Sequence, residues 1–235
     1  MHFVFDVDGT LTPSRQPIIP SFHTFFTNFI QRHKVSLVTG SDIGKTKEQL
    51  GTMIPGMVEF CFNCSGSDIY SGPVHMHTSK WVLPEQAQDW LSEKLSESRF
   101  VLRTGLHFEH RPGMCNFSIV GRNATIGERK LYVDWDTKTK ERLKIAKQFV
   151  ELFPDIDARV GGETGIDIFP KGCDKSQILQ YIDDEEIMFF GDAMEEGGND
   201  YPLAVALNKY PKSKTFHVEN WQHTERLLKK IDNKQ

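Results

Sequence analysis

Two carboxylates separated by a single residue follow an apolar segment near the N-terminus, in the run Phe3-Val4-Phe5-Asp6-Val7-Asp8-Gly9-Thr10-Leu11-Thr12. The apolar segment predicts a buried strand and Gly9 predicts a turn at its carboxyl end, which is where open α/β sheets bind their ligands. Two neighbouring anions repel each other, so a site that keeps both ionised usually supplies a cation. A carboxylate beside a divalent metal there is suited to attack phosphorus and form an aspartyl phosphate. A bare Asp-x-Asp would fit an acidic loop equally well, whereas the full motif favours the catalytic interpretation.

A second group of acidic residues follows a later apolar segment, residues 186–190, which predicts another buried strand. This strand leads into Asp192, and we expect Asp192 to bind Mg²⁺ because hard cations prefer carboxylate oxygens. Asn199 and Asp200 follow two glycines shortly afterwards. We expect these two side chains to orient Lys175 and the waters of the metal without binding the ion themselves.

Hydroxyl groups and an arginine near the predicted strand ends are candidates for binding phosphate. Thr39 and Ser41 lie between a predicted strand, residues 35–40, and a predicted helix, residues 42–50, where backbone amides favour an anion. Ser41 or Asp42 is alternatively the N-cap of that helix, and both interpretations are compatible. Arg15 lies in a proline-bounded loop close to the acidic turn, where it either contacts a phosphate or sugar or is simply solvated.

The order of the predicted elements indicates an α/β protein with an insertion. Strand, helix and strand alternate at the start, which predicts a βαβ crossover and a parallel sheet. Residues 76–172 instead predict hairpins with helices, including strands at 100–102, 106–110 and 114–120 and a long helix at 128–152. The predicted domains are a core, residues 1–75 and 173–235, and an inserted antiparallel α+β cap, residues 76–172. A helix is expected from Lys175 to Tyr181.

Composition and charge exclude several classes of protein. The chain has 235 residues, 38% of them hydrophobic, a net charge of −4 and a pI of about 6.1. This balance predicts no nucleic-acid partner, and no apolar segment is long enough to predict a membrane span. No secretory leader is recognisable, so a cytoplasmic location is expected. The four cysteines, including the lone Cys61–Cys64 pair, are expected to be reduced packing residues rather than zinc ligands.

The motif around Asp6 and Asp8 resembles the first motif of the haloacid dehalogenase (HAD) superfamily of phosphotransferases. That resemblance implies a Rossmann-like core, with Asp6 as the nucleophile. It implies that Asp8 moves the proton to and from the sugar oxygen while its backbone carbonyl helps to hold magnesium. Lys175 matches the catalytic lysine of the superfamily, and Thr39 matches its phosphate-binding hydroxyl better than Ser41 does.

Beyond these motifs, nearly the whole chain is similar to the eukaryotic-type phosphomannomutases. The similarity in the predicted cap rests on residues 111–116, 120–122, 128–129, 161–162 and 167–170. It implies that Arg111, Arg122 and Arg129 bind the phosphate that is not being transferred, and that Asp167 contacts sugar hydroxyls. Two positions depart from the family. Gly165 replaces a frequent serine, and Ala206 replaces an acid of a second cation loop, so no second ion is predicted.

The resemblance implies a magnesium-dependent mutase that interconverts mannose 1-phosphate and mannose 6-phosphate, activated by a hexose 1,6-bisphosphate and supplying GDP-mannose. It also implies a hexose phosphate substrate and a possible homodimer formed through the cap. Two alternatives stay open at this point. One is a HAD-superfamily sugar-phosphate phosphatase, in which water accepts the phosphoryl group. The other is a catalytically inactive module that binds phosphosugars.

Overall fold

The computed structural model describes residues 1–183 and 186–232, which form two compact units. The first unit is Met1–Thr78 with the described part of Cys173–Gln235, and the second is Ser79–Gly172. We call them the core and the cap, after the architecture expected from the sequence. The division expected after residue 75 falls inside the strand Val74–Thr78, which belongs to the core.

The described chain contains strands and α-helices in the following order. The strands are β1 (His2–Phe5), β2 (Lys34–Val38), β3 (Phe60–Asn63), β4 (Asp68–Ser71), β5 (Val74–Thr78), β6 (Phe108–Arg111), β7 (Met114–Phe117), β8 (Ile156–Gly161), β9 (Gly165–Pro170), β10 (Ile187–Gly191) and β11 (Lys214–His217). The helices are α1 (Pro20–Arg32), α2 (Ile43–Leu50), α3 (Met53–Met57), α4 (Glu85–Glu97), α5 (Ile126–Thr139), α6 (Glu141–Leu152), α7 (Tyr201–Leu207) and α8 (Trp221–Asp232). None of these helices has the length and apolar character that crossing a bilayer requires.

The core is built on a seven-stranded sheet with the order β11-β10-β1-β2-β3-β4-β5. The strands from β11 to β3 are parallel, whereas β4 and β5 continue the sheet as an antiparallel hairpin. The expected α/β class with a mainly parallel sheet is therefore confirmed, and the hairpin is an addition that the sequence did not reveal. Since β1, β2 and β10 are parallel neighbours, the residues that follow them meet at one edge of the sheet.

Alternating residues of the parallel strands pack against helices on both faces of the sheet. Phe3 and Phe5 of β1 contribute to one cluster with the buried side of α1, including Phe26. Val4 of the same strand contributes to the other cluster, together with Leu203 of α7. Because both faces are covered, the parallel strands read as continuous apolar runs, which is why they were recognisable in the sequence.

The cap is a four-stranded antiparallel sheet with the order β6-β7-β9-β8 and three helices on one of its faces. Cys115, Phe117, Ile166 and Ile168 point to the helical side and pack with the apolar residues of α4, α5 and α6. The residues between them, Asn116 and Asp167, therefore lie on the opposite face.

Three expected elements of secondary structure differ from the observed ones. The long helix at 128–152 is two helices, α5 and α6, which are separated at Lys140, a residue with a left-handed backbone (φ 55°). The buried ion pair of Asp136 with Arg142 spans this break, with Nε 2.9 Å from Oδ2. Residues 100–102 form no strand, and β6 begins only at Phe108. The helix expected after Lys175 is a 3₁₀ helix, Lys175–Gln180.

Candidate active site

Lys175 joins two aspartates at the carboxyl edge of the core sheet. Asp6 directly follows β1, and Lys175 Nζ donates hydrogen bonds to Asp6 Oδ1 at 2.5 Å and to Asp200 Oδ1 at 2.7 Å. All three residues are buried, at 3% exposure or less. A buried ammonium group therefore lies between two carboxylates that come from distant parts of the sequence.

The charges of this group determine its protonation. Burial of Asp6 raises its pKa, the charge of Lys175 lowers it, and the neighbouring charges of Asp200 and Asp192 raise it further, so the net shift is well above the ordinary value. Burial disfavours the ammonium of Lys175, but the charges of Asp200 and Asp6 outweigh this effect and raise its pKa. These charges favour the protonated form of Lys175, and the ionised form of Asp6 gains from any additional positive charge nearby.

Asp6 belongs to a cluster of three aspartates that could bind a metal ion. Asp6, Asp192 and Asp200 each present a carboxylate oxygen, and these oxygens lie within 4.8 Å of one another. Asp192 is the most exposed residue of the three, but surrounding protein atoms still shield its carboxyl group in part. This partial burial, followed by the charge of Asp200, raises the pKa of Asp192 to about 6. Three carboxylates beside one ammonium leave an excess of negative charge, and oxygen ligands are those that hard divalent cations prefer. The residues present therefore fit a divalent cation.

A glycine is required beside this cluster. Gly9 has a positive φ of 77°, and a Cβ built there would overlap the carboxylate of Asp192. The glycine of the first motif thus provides both the turn and the space for the third carboxylate. No side chain larger than hydrogen fits at position 9 without moving Asp192.

Asp8 lies outside the carboxylate cluster and is held by two hydrogen-bond donors. Its Oδ1 accepts from the backbone nitrogen of Arg15 at 2.7 Å and from Gln49 Nε2 at 2.8 Å. Gln49 is buried on α2, and its Nε2 also lies 3.2 Å from Thr12 Oγ1. Gln49 could not be recognised from the sequence, because no local pattern indicates that a helical residue 41 positions away reaches Asp8. Two donors on one carboxylate oxygen fix the orientation of Asp8.

The proposed phosphate-binding loop follows β2. Thr39 is buried, its Oγ1 accepts from the backbone nitrogen of Ser41 at 3.1 Å, and Ser41 is half-buried. Asp42 is the N-cap of α2, because its side chain accepts from the Lys45 nitrogen at 2.8 Å. The capping role that the sequence left open therefore belongs to Asp42.

A strained turn supports this loop from β3. Cys64 and Ser65 have positive φ values of 48° and 58°, which are uncommon outside glycine. Their backbone nitrogens donate to the carbonyl oxygens of Ser41 at 2.9 Å and Thr39 at 2.8 Å. The strained backbone therefore fixes the loop that carries both hydroxyl groups.

Two further expected residues lie at the periphery of the core site. Arg15 is exposed and has a positive φ of 58°, and its contact with Asp8 is made by its backbone. Asn199 is also exposed and, within the described residues, makes no hydrogen bond with Lys175. Of the two residues expected to orient Lys175, Asp200 is the one whose hydrogen bond to it the structure shows.

Asp167, which is expected to contact sugar hydroxyls, lies in a row of polar residues on the face of the cap sheet opposite the helices. Glu109 of β6 pairs with Asn116 of β7, and Asn116 pairs with Asp167 of β9, so the three form one row across the strands. Asn116 Nδ2 donates to Asp167 Oδ1 at 2.6 Å, and Arg122 Nη1 donates to Asn116 Oδ1 at 3.2 Å. A buried asparagine thus connects an arginine to the aspartate expected to bind sugar.

Gly165 lies beneath this asparagine. A Cβ at position 165 would overlap the side-chain amide of Asn116. A side chain at position 165 would therefore require Asn116 to move. Gly161 is equally constrained, because a Cβ there would overlap the carboxylate of Asp167.

Each of the three arginines expected to bind phosphate has a carboxylate partner in the cap. Arg111 Nε donates to Glu109 Oε1 at 2.8 Å, and Arg122 forms an ion pair with Oε2 of the same glutamate. Burial lowers the pKa of Arg122, although the charge of Glu109 opposes this. Arg129 forms its ion pair with Glu163, in the turn between β8 and β9. Neither glutamate could be recognised from the sequence, since neither is next to its arginine in a recognisable motif.

Comparison with known proteins identifies the family of this chain. The model of the family described as eukaryotic phosphomannomutase matches residues 22–234. The chain belongs to this family. Within it, the phosphomannomutase of Drosophila melanogaster is 32% identical over 243 residues, an alignment that covers 97% of this chain and 94% of the relative. The similarity to phosphomannomutases noted in the sequence is thereby confirmed.

Solved structures with a similar fold include members of the HAD group. A haloacid dehalogenase-like hydrolase from Bacteroides thetaiotaomicron superposes with a TM-score of 0.60 at 15% identity, covering 97% of this phosphomannomutase-family chain and 98% of the other. An IMP-nucleotidase from Plasmodium falciparum superposes with a TM-score of 0.63 at 16% identity, covering 98% and 68% of the two chains. At these identities the similarity establishes the fold alone, which is the expected HAD architecture.

Proposed function

We propose that this protein is a phosphomannomutase that interconverts mannose 1-phosphate and mannose 6-phosphate through an aspartyl phosphate at Asp6 and a hexose 1,6-bisphosphate intermediate. The observation that carries the proposal is the contact of Asp6 with the buried ammonium of Lys175 inside a cluster of carboxylates. Such a cluster suits the transfer of a phosphoryl group, in which catalysis consists mainly of positioning and charge stabilisation. Family membership supplies the substrate class.

In the first half-reaction, a carboxylate oxygen of Asp6 attacks a phosphorus of the bisphosphate. The bond from phosphorus to the sugar oxygen breaks, and Asp8 donates a proton to that oxygen, which leaves as a hydroxyl group. Lys175 neutralises charge on Asp6 and on the transferring phosphoryl oxygens. Thr39, Ser41 and Arg15 are proposed to bind the same phosphoryl group from the loops beside it.

A magnesium ion would be held by the carboxylates of Asp6 and Asp192, with the backbone carbonyl of Asp8 as a further oxygen ligand. When bound, it supplies the positive charge that keeps Asp6 ionised and offsets charge on the phosphoryl group. In this arrangement Asp200 does not bind the ion. It orients Lys175, from which it accepts a hydrogen bond at 2.7 Å. Asn199 completes the proposed set as an outer residue near the waters of the metal.

In the second half-reaction, the monophosphorylated hexose presents its other hydroxyl group to the aspartyl phosphate. Asp8 accepts the hydroxyl proton as the sugar oxygen bonds to phosphorus, and the bond between phosphorus and Asp6 breaks. Throughout, the phosphate that is not transferred is proposed to bind the arginines of the cap, Arg111, Arg122 and Arg129, while Asp167 contacts sugar hydroxyls. The hexose must turn end for end between the halves, so that each phosphate occupies each position in turn.

A product assay tests this function. The protein is incubated with Mg²⁺, mannose 1-phosphate and a catalytic amount of mannose 1,6-bisphosphate, and products are followed by ³¹P NMR. We expect mannose 6-phosphate without release of inorganic phosphate, because the hexose hydroxyl rather than water accepts the phosphoryl group. A parallel incubation with glucose 1-phosphate measures the preference for the mannose configuration.

The two alternative functions predict different results in the same assay. Release of inorganic phosphate without mannose 6-phosphate would identify a phosphatase. No reaction, together with no binding of beryllofluoride as a mimic of the aspartyl phosphate, would identify an inactive binding module. A homodimer formed through the cap, a cytoplasmic location and a role in GDP-mannose supply stay predictions of the family resemblance.

Replacing Gln49 with Leu is expected to lower kcat about tenfold with little change in KM, because Asp8 loses one of the two donors that orient it. Gln49 is buried, and leucine is similar in size to glutamine, so the substitution removes mainly the hydrogen bond. Steady-state kinetics with mannose 1-phosphate at saturating bisphosphate measures the effect.

Thr46→Val on the same helix is the matched control for Gln49→Leu. Thr46 Oγ1 hydrogen-bonds to Asn63 Oδ1 at 2.8 Å and to the carbonyl oxygen of Asp42 at 3.0 Å, so this variant also loses buried hydrogen bonds. Among the described residues, the side-chain donor to Asp8 is Gln49 and not Thr46. We expect its kcat to stay close to that of the wild type. Equal losses of kcat in the two variants would mean that Gln49 acts only through the stability of α2.

A further inference from the structure

The arginines of the cap are not equally satisfied by their carboxylate partners. Glu109 uses both of its oxygens, one for Arg111 and one for Arg122. Arg129, in contrast, directs Nε and Nη2 to the same oxygen of Glu163, Oε2, each at 3.0 Å. Only the Nε contact is a hydrogen bond, and the buried Nη2 has no hydrogen-bond partner among the described residues. Arg129 is therefore paired in charge but incompletely hydrogen-bonded.

An incompletely bonded, buried guanidinium is a site for an anion with more oxygens. The side chain of Arg129 is only 13% exposed, so its unsatisfied N–H groups are shielded from water. A phosphate can accept two parallel hydrogen bonds from a guanidinium, an arrangement that the single oxygen of Glu163 does not provide. Exchange of Glu163 for a phosphate would thus satisfy Arg129 better than the present pair does.

The two glutamates differ in how easily their side chains can move away from the arginines. Glu109 lies within β6, has two arginine partners, and its side chain is 30% exposed. Glu163 lies in a turn, has Arg129 as its ion-pair partner, and its side chain is 58% exposed. An ion pair whose acid is mostly in water contributes little, since water replaces the lost contact when the acid moves away.

The backbone of the turn that carries Glu163 is anchored independently of its side chain. Arg142 Nη1 donates to the carbonyl oxygens of Gly162 at 3.0 Å and Gly165 at 3.2 Å, on either side of Glu163. Arg142 is buried and is itself held by Asp136. Release of Arg129 therefore needs only a rotation of the Glu163 side chain and leaves the strands of the binding face in place.

We propose that Glu163 is a displaceable counter-ion that holds Arg129 in the empty cap and leaves it when the non-transferred phosphate of the substrate binds. Glu163 thereby sets the affinity of this phosphate position, because binding must replace an existing ion pair. The proposal rests on the proposed function in that it takes the ligand to be a phosphorylated hexose. It assigns to Glu163 a control of ligand affinity rather than of the chemical step.

The test is the affinity of the full-length protein for mannose 6-phosphate, measured by isothermal titration calorimetry in the wild type and in Glu163→Gln. The amide keeps the size of the side chain but not its charge, so phosphate no longer competes with a carboxylate. We expect the dissociation constant to fall about fivefold. In steady-state kinetics KM is expected to fall by a similar factor, with kcat nearly unchanged. Inorganic phosphate is titrated as a second probe and is expected to show the same direction of change.

Asp134→Asn is the matched control. Asp134 lies on α5, the helix that carries Arg129, and pairs with the exposed Lys130 at 3.0 Å. The variant removes one negative charge, as Glu163→Gln does, but from an exposed ion pair on the helix that carries Arg129, and we expect no change in affinity. An equal gain in both variants would indicate a general electrostatic effect and would overturn the counter-ion role.

The remaining outcomes separate this proposal from the proposed function. Unchanged or weaker binding by Glu163→Gln in an active mutase would overturn the counter-ion role alone. Tighter binding by Glu163→Gln in a protein that hydrolyses mannose 1-phosphate without isomerising it would support the counter-ion role and refute the mutase. If neither the wild type nor Glu163→Gln binds mannose 6-phosphate, both the counter-ion role and the proposed function are refuted.

Discussion

Asp6→Asn is expected to abolish mutase turnover, with a loss of about 10⁴-fold or more in kcat. The carboxylate of Asp6 is the proposed acceptor of the phosphoryl group, and an amide is a far poorer nucleophile. Asparagine has nearly the same size and can still accept a hydrogen bond from Lys175, so the fold should be kept. Formation of mannose 6-phosphate and labelling of the protein with a ³²P-labelled hexose bisphosphate are the measurements, and both signals are expected to disappear.

Asp68→Asn provides the control for loss of a buried carboxylate in the same sheet. Asp68 is 4% exposed on β4 and lies 2.8 Å from His75 Nε2, apart from the carboxylate cluster. We expect this variant to keep its turnover and its ³²P labelling. An Asp6→Asn protein that still transfers phosphate would require a different nucleophile and would refute the mechanism.

Lys175→Met is expected to lower both catalysis and stability. Loss of the ammonium removes charge stabilisation at the transferring phosphoryl group, which should lower kcat about 10³-fold. It also leaves Asp6 and Asp200 buried without their common cation, and breaking such a buried group costs about 3–5 kcal/mol in the free energy of unfolding. Steady-state kinetics and urea denaturation at about pH 7.5 measure the two effects.

The stability defect of Lys175→Met should depend on pH in a definite direction. In the wild type, burial raises the pKa of Asp6 and Lys175 opposes this, so without the lysine the pKa in the folded state is higher still. A carboxyl group whose pKa is raised in the folded state stabilises the fold relatively at low pH, and this benefit is lost as pH rises from about 3.9 through the folded pKa. The difference in unfolding free energy from the wild type is therefore expected to shrink as the pH is lowered from about 7.5.

Lys45→Met is the control for the loss of a lysine in the core. Lys45 pairs with Glu48 at 2.9 Å on the surface of α2, and its side chain is 39% exposed. We expect a change in unfolding free energy within about 0.5 kcal/mol and no loss of kcat. A defect in Lys175→Met that is as small as this, or that does not vary with pH, would mean that the buried carboxylates do not depend on the lysine.

The sequence predicted the parts of the fold in which local pattern and tertiary structure agree. The β1 strand and its acidic turn were recognisable because both faces of the parallel sheet are covered and the strand is apolar throughout. The break between α5 and α6 was not, since Lys140 adopts a left-handed backbone without being glycine or asparagine. The left-handed conformation of Lys140 occurs together with the hydrogen bonds of Arg142 to Asp136 across the break. Helix propensity does not predict such a contact.

The same distinction applies to the candidate site. Asp6, Asp8, Asp192 and Lys175 could be selected because each lies next to a strand end or helix start with a recognisable motif. Gln49, Glu109 and Glu163 could not, because their importance lies in which distant side chain they contact. Asn116 shows the limit most directly, since only the structure reveals that its amide lies where a side chain at position 165 would have to be.

The position of β1 between β10 and β2 has a consequence for synthesis on the ribosome. Asp6 emerges 169 positions before its partner Lys175, which is a delay of roughly 10 to 30 s at ordinary rates of translation. Until β10 emerges, one edge of β1 lacks its neighbour, and the nascent chain exposes an apolar strand that invites wrong pairing. Asp6 and Lys175 can therefore meet only after the whole cap has been synthesised, and molecular chaperones have access to the apolar strand beside the nucleophile during that interval.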